Sequence, residues 1–377
     1  MNRAGSWSFA CVLSLVFAWG CASDSHAPLA PTPDLPPPPP PAETAPPTPA
    51  AVAPEVTPAP KLAVSVFTSS PEGFLATSTL VAGAKDAILI DAQFTLPDAK
   101  KLVDMLKASG KNLTLVYVTH QHPDHYFGFE VIKEAFPNAK LVALPATVAG
   151  IQKTAAEKVK QWKPLYKDAI TKKPIVPEPL AGDSLEVEGE KIEVVGGVQG
   201  DEAGNSYLYV PSLHTAILGD IAYDGVFPWT AETTPAERVA WIAALDAVAA
   251  RNPTVVIAGH QKPDDQLDTS AIQFTKDYLR AYDEALAASK SPAELQAKMK
   301  AKYPNAALDV ILKLGAEASF KAQAKAGKTK EPAKTMPPAA KEAAKPTTPA
   351  AATPAAKEPV KPSAAPAPVA KEPAKKP

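Results

Sequence analysis

Val116-Tyr-Val-Thr-His120-Gln-His122-Pro-Asp124-His125 is an apolar run that breaks into a polar loop, and it carries three of the six histidines in 377 residues. The apolar half reads as a buried strand and the half containing Pro123 as the loop it feeds. Imidazole is the commonest neutral metal ligand and an aspartate adds a hard anionic oxygen, so the loop suits a zinc-like ion. His120 and His122 can converge on one ion, while Asp124 and His125 can turn to a second close by. The competing reading is a solvated loop with chance histidines. The scarcity of histidine elsewhere counts against it.

Moving outward, three more polar residues close short apolar runs. Asp91 ends Ala87-Ile-Leu-Ile-Asp91, Asp220 ends Ala216-Ile-Leu-Gly-Asp220, and His260 ends Val255-Val-Ile-Ala-Gly-His260. Strand ends are where α/β folds commonly place their chemistry. Together with the His-x-His-x-Asp-His spacing at 120–125, these landmarks resemble the metallo-β-lactamase superfamily over residues 61–323. The resemblance implies an α/β fold of four layers, an αββα sandwich, with residues 268–323 as a C-terminal helical extension. The pattern alone supports only mixed α/β.

The resemblance also implies two divalent metal ions, zinc in the first instance with manganese or iron as alternatives. His120 and His122 would hold the first ion; Asp124, His125 and His260 would hold the second, with Asp220 bridging and Asp91 steadying the ligand loops. One landmark departs from the family pattern. Where relatives carry Gly-His-Thr-x-Gly-Asn/Ser, this chain has Gly200-Asp201-Glu-Ala-Gly204-Asn205-Ser206. Aligned on Gly204-Asn205-Ser206, Asp201 stands where the family has its third histidine. A carboxylate can bind zinc at a similar distance, but it lowers the ion's Lewis acidity and favours harder metals. The alternative makes Asp201 a turn residue beside a degraded first site, and Gln199 is a lesser ligand candidate.

The reaction so implied is attack of a metal-bound hydroxide on the carbonyl of a small ester, lactone, thioester or amide. Asp124 then counts as catalytic as well as a ligand. Tyr223, three residues past Asp220, resembles a tyrosine of N-acyl-homoserine lactonases and could donate to the developing oxyanion or the leaving alkoxide. It could equally pack with Phe227 and Trp229 as an aromatic wall. His214 sits between two strands as an exposed loop residue. A reading from another class is an exported, non-catalytic binding or scaffolding protein on a degraded hydrolase fold, with Asp201 its only support.

Composition divides the chain. Residues 1–21 read as an export leader, with Arg3 ahead of an apolar stretch too short to span a membrane. Ala18-Trp19-Gly20-Cys21 resembles a lipoprotein box, so the expected address is outside a bacterial cytoplasm. The protein would be lipid-anchored through Cys21 facing the periplasm, or else periplasmic or secreted. Residues 22–60 are a Pro-rich linker, and 324–377 an Ala/Lys/Pro-rich tail expected to be disordered. From Lys325 onward 11 Lys face 4 Glu, which leaves the middle of a chain of net charge −1 acidic. An acidic domain argues against a nucleic-acid substrate and for a small molecule. The basic tail is either a solvated spacer or a contact to cell-envelope polymers. Both cysteines, Cys11 and Cys21, lie in the leader, so the domain has neither a disulfide nor a cysteine nucleophile. Periodicity predicts a strand over 74–81, helices over 96–109, 147–162 (stopping before Pro164) and 234–250, and three closing helices over 271–289, 292–302 and 306–320.

Overall fold

The computed structural model describes residues 61–329; the expected leader, the linker and all but the start of the tail lie outside the described residues. Two sheets form the centre. The first runs β1 (Ala63–Thr68), β2 (Thr77–Ala82), β3 (Asp86–Ile90), β4 (Asn112–Val118), β5 (Lys140–Ala143) and β6 (Glu178–Pro179), in that spatial order. Its first three strands are antiparallel and the rest parallel. The second has the order β12 (Val255–Ile257), β10 (Thr215–Ile217), β9 (Ala203–Val210), β8 (Glu190–Gln199) and β7 (Ser184–Val187). A two-residue ladder joins β11 (Tyr223–Asp224) to β13 (His260–Gln261).

Strand alternation builds the layers, because successive side chains point to opposite faces. Ile88 and Ile90 of β3 face the second sheet, joining Tyr117 with Leu208, Val210, Ile217 and Ile257 in an inter-sheet core. Ala87 and Leu89 point the other way, to α1 (Leu96–Ala108), α2 (Phe129–Ala135) and α3 (Pro145–Tyr166). Behind the second sheet, Tyr209, Ala216, Leu218 and Val256 pack on α4 (Pro235–Ala249), α5 (Ser270–Ala287), α6 (Pro292–Lys302) and α7 (Asp309–Thr329). The order is helix, sheet, sheet, helix, so the expected αββα sandwich is present.

The helix starts follow local chemistry. Thr95 caps α1 by accepting from the Asp98 N–H. Thr234 and Glu237 make a reciprocal capping box on α4. Arg238, 1% exposed, ties α4 to the extension by donating to Asp283 of α5 while lying 5.3 Å over the Tyr282 ring.

Four expected boundaries move by more than two residues. The strand placed at 74–81 begins at Thr77, because 71–73 form a short 3-10 turn and Phe74 and Leu75 are left-handed (φ 63° and 54°). The helix expected to stop before Pro164 continues to Tyr166. In a last turn the missing proline N–H forfeits only the bond it would donate to the carbonyl four residues back. The last helix starts at Asp309 instead of 306. It also runs to Thr329, past the compositional boundary at 323, because Ala322-Gln-Ala-Lys-Ala is made of strong helix formers.

Candidate metal centre

The expected ligands follow strand ends of the two sheets, His260 alone lying on a short strand, β13. β4 delivers His120, the turn after it His122, Asp124 and His125, the β8–β9 connection Asp201, the turn after β10 Asp220, and β13 His260. Ligand atoms of His120, His122, Asp201 and Asp220 lie within 4.8 Å of one another, as do those of Asp124, His125 and His260. Asp220 lies between the groups. Its Oδ1 is 3.1 Å from His125 Nε2, and its Oδ2 is 3.2 Å from His260 Nε2 and 3.7 Å from His120 Nε2. Asp124 Oδ2 is 3.3 Å from His260 Nε2 and 3.8 Å from His125 Nε2.

The outer atoms are held by the protein. Asp91 accepts from the Thr119 N–H and hydroxyl, each at 2.9 Å, and pairs with His125 Nδ1 at 2.8 Å. Thr119 Oγ1 in turn meets His120 Nδ1 at 3.0 Å, and the Phe74 carbonyl meets His260 Nδ1 at 2.7 Å. Asp91 is left-handed (φ 62°), a conformation uncommon outside glycine but better tolerated by aspartate. Ser206 hydrogen-bonds Tyr117 and the Thr119 carbonyl, bracing the strand end that carries His120. Asn205 Nδ2 donates to Asp201 Oδ1. The Gly204-Asn205-Ser206 landmark therefore positions ligands from behind.

What remains tests whether metal fits. Nε2 of His120 and His125, Oδ2 of Asp201 and Oδ1 of Asp220 are buried and make no well-formed hydrogen bond; their close polar neighbours are other ligand atoms, His122 Nδ1 at 2.8 Å from Asp201 Oδ2 and His125 Nε2 at 3.1 Å from Asp220 Oδ1. Buried polar atoms left so cost on the order of 1–3 kcal/mol each. Four in one place, with three imidazoles anchored at Nδ1 and opening at Nε2, match a divalent-cation site with its supporting shell. The residues fit.

Asp201 meets His122 Nδ1 at 2.8 Å and is fully buried, so this carboxylate shares the first group with His120 and His122. Gln199 does not: it ends β8 with its amide on the Gly200 carbonyl. His214 is an exposed loop residue after β9, as expected. Tyr223 is buried, donates to Asp220 Oδ2 at 2.7 Å and stacks on His260 at 5.2 Å between centroids. It lines one cleft with Phe227 and Trp229, so the hydroxyl faces the ligands while the ring builds the wall.

Charges follow the geometry. Burial, then the neighbouring His125, holds His120 well below the usual imidazole range. Burial also opposes charge on His122, but Asp201 and Glu232 outweigh it and raise that group. Burial is likewise outweighed at His125, by Asp220 and Asp91, and at His260, pushed up to about 10 chiefly by Asp220. Burial lifts Asp201 to about 7 against the pull of His122. At Asp220 burial loses to His260, His125 and His120, which hold the carboxyl well below its usual range.

Sequence reasoning missed Glu232 and Lys158. Glu232 Oε2 lies 3.3 Å from His122 Nε2, and Lys158 Nζ lies 3.5 Å from Glu232 Oε1. Both come from segments without a motif, a loop before α4 and the middle of α3, so only the tertiary fold reveals them. Leu308 and Ile311 of the extension line the cleft beside Phe74 and Trp162. The extension therefore walls the site instead of only packing on the sandwich.

Comparison with known proteins agrees. The description "Metallo-beta-lactamase superfamily" matches residues 71–260, and the chain belongs to that superfamily. A metallo-beta-lactamase family protein from Thermus thermophilus is 21% identical, with a TM-score of 0.53 over 71% of this chain and 94% of that one. A metallo-beta-lactamase from Pontibacter korlensis is 18% identical, with a TM-score of 0.45 over 58% and 99%. No curated protein matches significantly.

Proposed function

We propose that the chain is an exported metal-dependent hydrolase of a small ester, lactone, thioester or amide, using zinc or, in its place, manganese or iron. The observation that carries this reading is the convergence of buried ligand atoms from His120, His122, Asp124, His125, Asp201, Asp220 and His260, four of which make no well-formed hydrogen bond and have one another or a further ligand atom as close polar neighbours. Divalent ions held there supply Lewis acidity and a water nucleophile at neutral pH.

The protein's own groups supply the rest. The Asp91–Thr119–His120 and Asp91–His125 bonds fix two imidazoles, and Phe74 fixes a third. Asp124, at 14% side-chain exposure against 0% for Asp201 and 2% for Asp220, reaches furthest toward solvent and is placed to pass a proton to the leaving group. Burial, with Asp201 and Asp220, pushes the Tyr223 phenol well above its usual range, so it remains a donor. The cleft offers ≈ 100 Å³ beside the ligands, a narrow space with mostly apolar walls and a few polar groups, the character of a small-molecule site.

A second reading, a non-catalytic binding protein, draws on Asp201 alone. Metal analysis combined with a panel of esters, lactones, thioesters and amides separates the two. About two metal ions per chain with turnover is the expected result; no metal after reconstitution would leave the binding protein. Export, with a lipid anchor at Cys21 or as a periplasmic or secreted form, rests on the leader alone.

A further inference from the structure

The described residues leave four large hydrophobics exposed: Leu165, Val176, Val239 and Val310. Single exposed hydrophobics are ordinary. Two of these, Leu165 (74% exposed) and Val310 (48%), line one groove between α3 and α7. That groove is open to solvent, offers ≈ 660 Å³ and shares two lining residues with the metal cleft, Phe74 and Trp162. The two rings lie 5.5 Å apart at 59°, and the Phe74 carbonyl also anchors His260. One residue thus joins the groove to the ligands.

Most of the groove's polar margin is already bonded to itself, the exposed Glu72 carboxylate excepted. Asp98 is taken by Ser70 and Thr95, each at 2.8 Å, and by Lys101 at 3.3 Å. The Tyr166 hydroxyl donates to the Glu72 carbonyl at 2.9 Å. A ligand there meets apolar surface whose one free polar group, the Glu72 carboxylate, points to solvent and repels an anion, so an uncharged chain gains most from such a surface.

We propose that this groove is an outer subsite for an uncharged alkyl limb of the substrate, whose carbonyl lies in the metal cleft between Phe74 and Tyr223. The assignment of the carbonyl rests on the hydrolase reading; the groove's affinity for an alkyl chain does not. The test therefore has two arms.

In the first, the metal-loaded full-length protein is titrated with 1-decanol while tryptophan fluorescence is followed, Trp162 being in the shared wall. Saturable binding is expected, with loss in Leu165→Asp/Val310→Asp, whose exposed sites tolerate the charge. In the second, kcat/KM is measured for acyl p-nitrophenyl esters and for alkyl acetates as the chain grows from about two to about twelve carbons. One series should rise about fourfold per methylene until the groove is filled, and flatten in the double variant. Decanol binding without hydrolysis of any ester keeps the subsite and sinks the hydrolase reading. Hydrolysis with both series flat and no decanol binding sinks the subsite alone. A wild-type dimer that Leu165→Asp dissolves would assign the groove to a second copy of the chain and overturn the proposal.

Discussion

His122 is the one imidazole at this site whose outer nitrogen is Nε2, and Glu232 is the group that meets it. A charged acceptor there orients the ring and strengthens Nδ1 as a donor to metal. Glu232→Gln should weaken metal binding by about 10- to 100-fold, read by competition with a chromogenic chelator, while the metal-free protein keeps its circular dichroism. Asp201→Ala should cost more metal affinity than Gln199→Ala, since only the carboxylate lies in the ligand group; equal values would return Asp201 to a turn residue. A pH effect follows from His122, His125 and His260. All three are raised by the neighbouring carboxylates, so protons compete with metal for these nitrogens. Metal affinity should therefore fall as pH drops, and calorimetry in buffers of different ionisation enthalpy should show net proton release. The motif histidines, Asp220 and His260 were legible because each follows an apolar strand. Glu232 was not, since one glutamate in a loop before a helix looks like any other acidic surface residue.

Whole elements were legible where periodicity is strong. The strand pattern Ala87-Ile-Leu-Ile assigns each residue to the face it occupies, and Leu96–Ala108 keeps its apolar spacing with a threonine cap. Phe74 and Leu75 were misread because their apolar character says strand, whereas their left-handed backbone serves the His260 contact. The hold of the extension on the sandwich was likewise hidden, since Arg238 and Asp283 are 45 residues apart. Arg238→Met should destabilise the fold by about 2–3 kcal/mol in urea unfolding; that lies below the full penalty for breaking a buried pair because Asp283 keeps solvent. At the turn before β13, a Cβ on Gly259 would lie 2.2 Å from Asp220 Oδ1 and 2.4 Å from the Gly219 carbonyl carbon. Gly259→Ala should disrupt Asp220 and lower metal content well before it lowers helix content.

At the scale of the molecule, three apolar cores hold the layers together without help from a metal. Chelation should leave far-UV circular dichroism and cooperative unfolding in place and lower Tm only by the linkage due to lost ligand. Collapse to an unfolded chain would make the ions structural. The proposed address is tested by Cys21→Ala, which should move the protein from the membrane fraction to the soluble periplasmic or secreted one; an unchanged distribution would favour plain secretion. The composition that marks the leader and tail is plain in the sequence, while the groove between α3 and α7 depends on two helices more than a hundred residues apart.

The ligands divide between the two sheets. His120, His122, Asp124 and His125 follow the first, Asp201 and Asp220 lie in loops of the second, and His260 lies in β13, just after the second sheet's β12. No stretch of the nascent chain therefore owns a complete site, and ions can be captured only after the sheets have docked. If the proposed export holds and the chain crosses a membrane before it folds, the compartment of arrival chooses the metal. Divalent ions are ranked by affinity in nearly the same order by any such ligand set, so local supply decides among them. Cargo is then a property of geography as much as of sequence, and the same polypeptide folded in the cytoplasm of an expression host would be expected to carry a different metal.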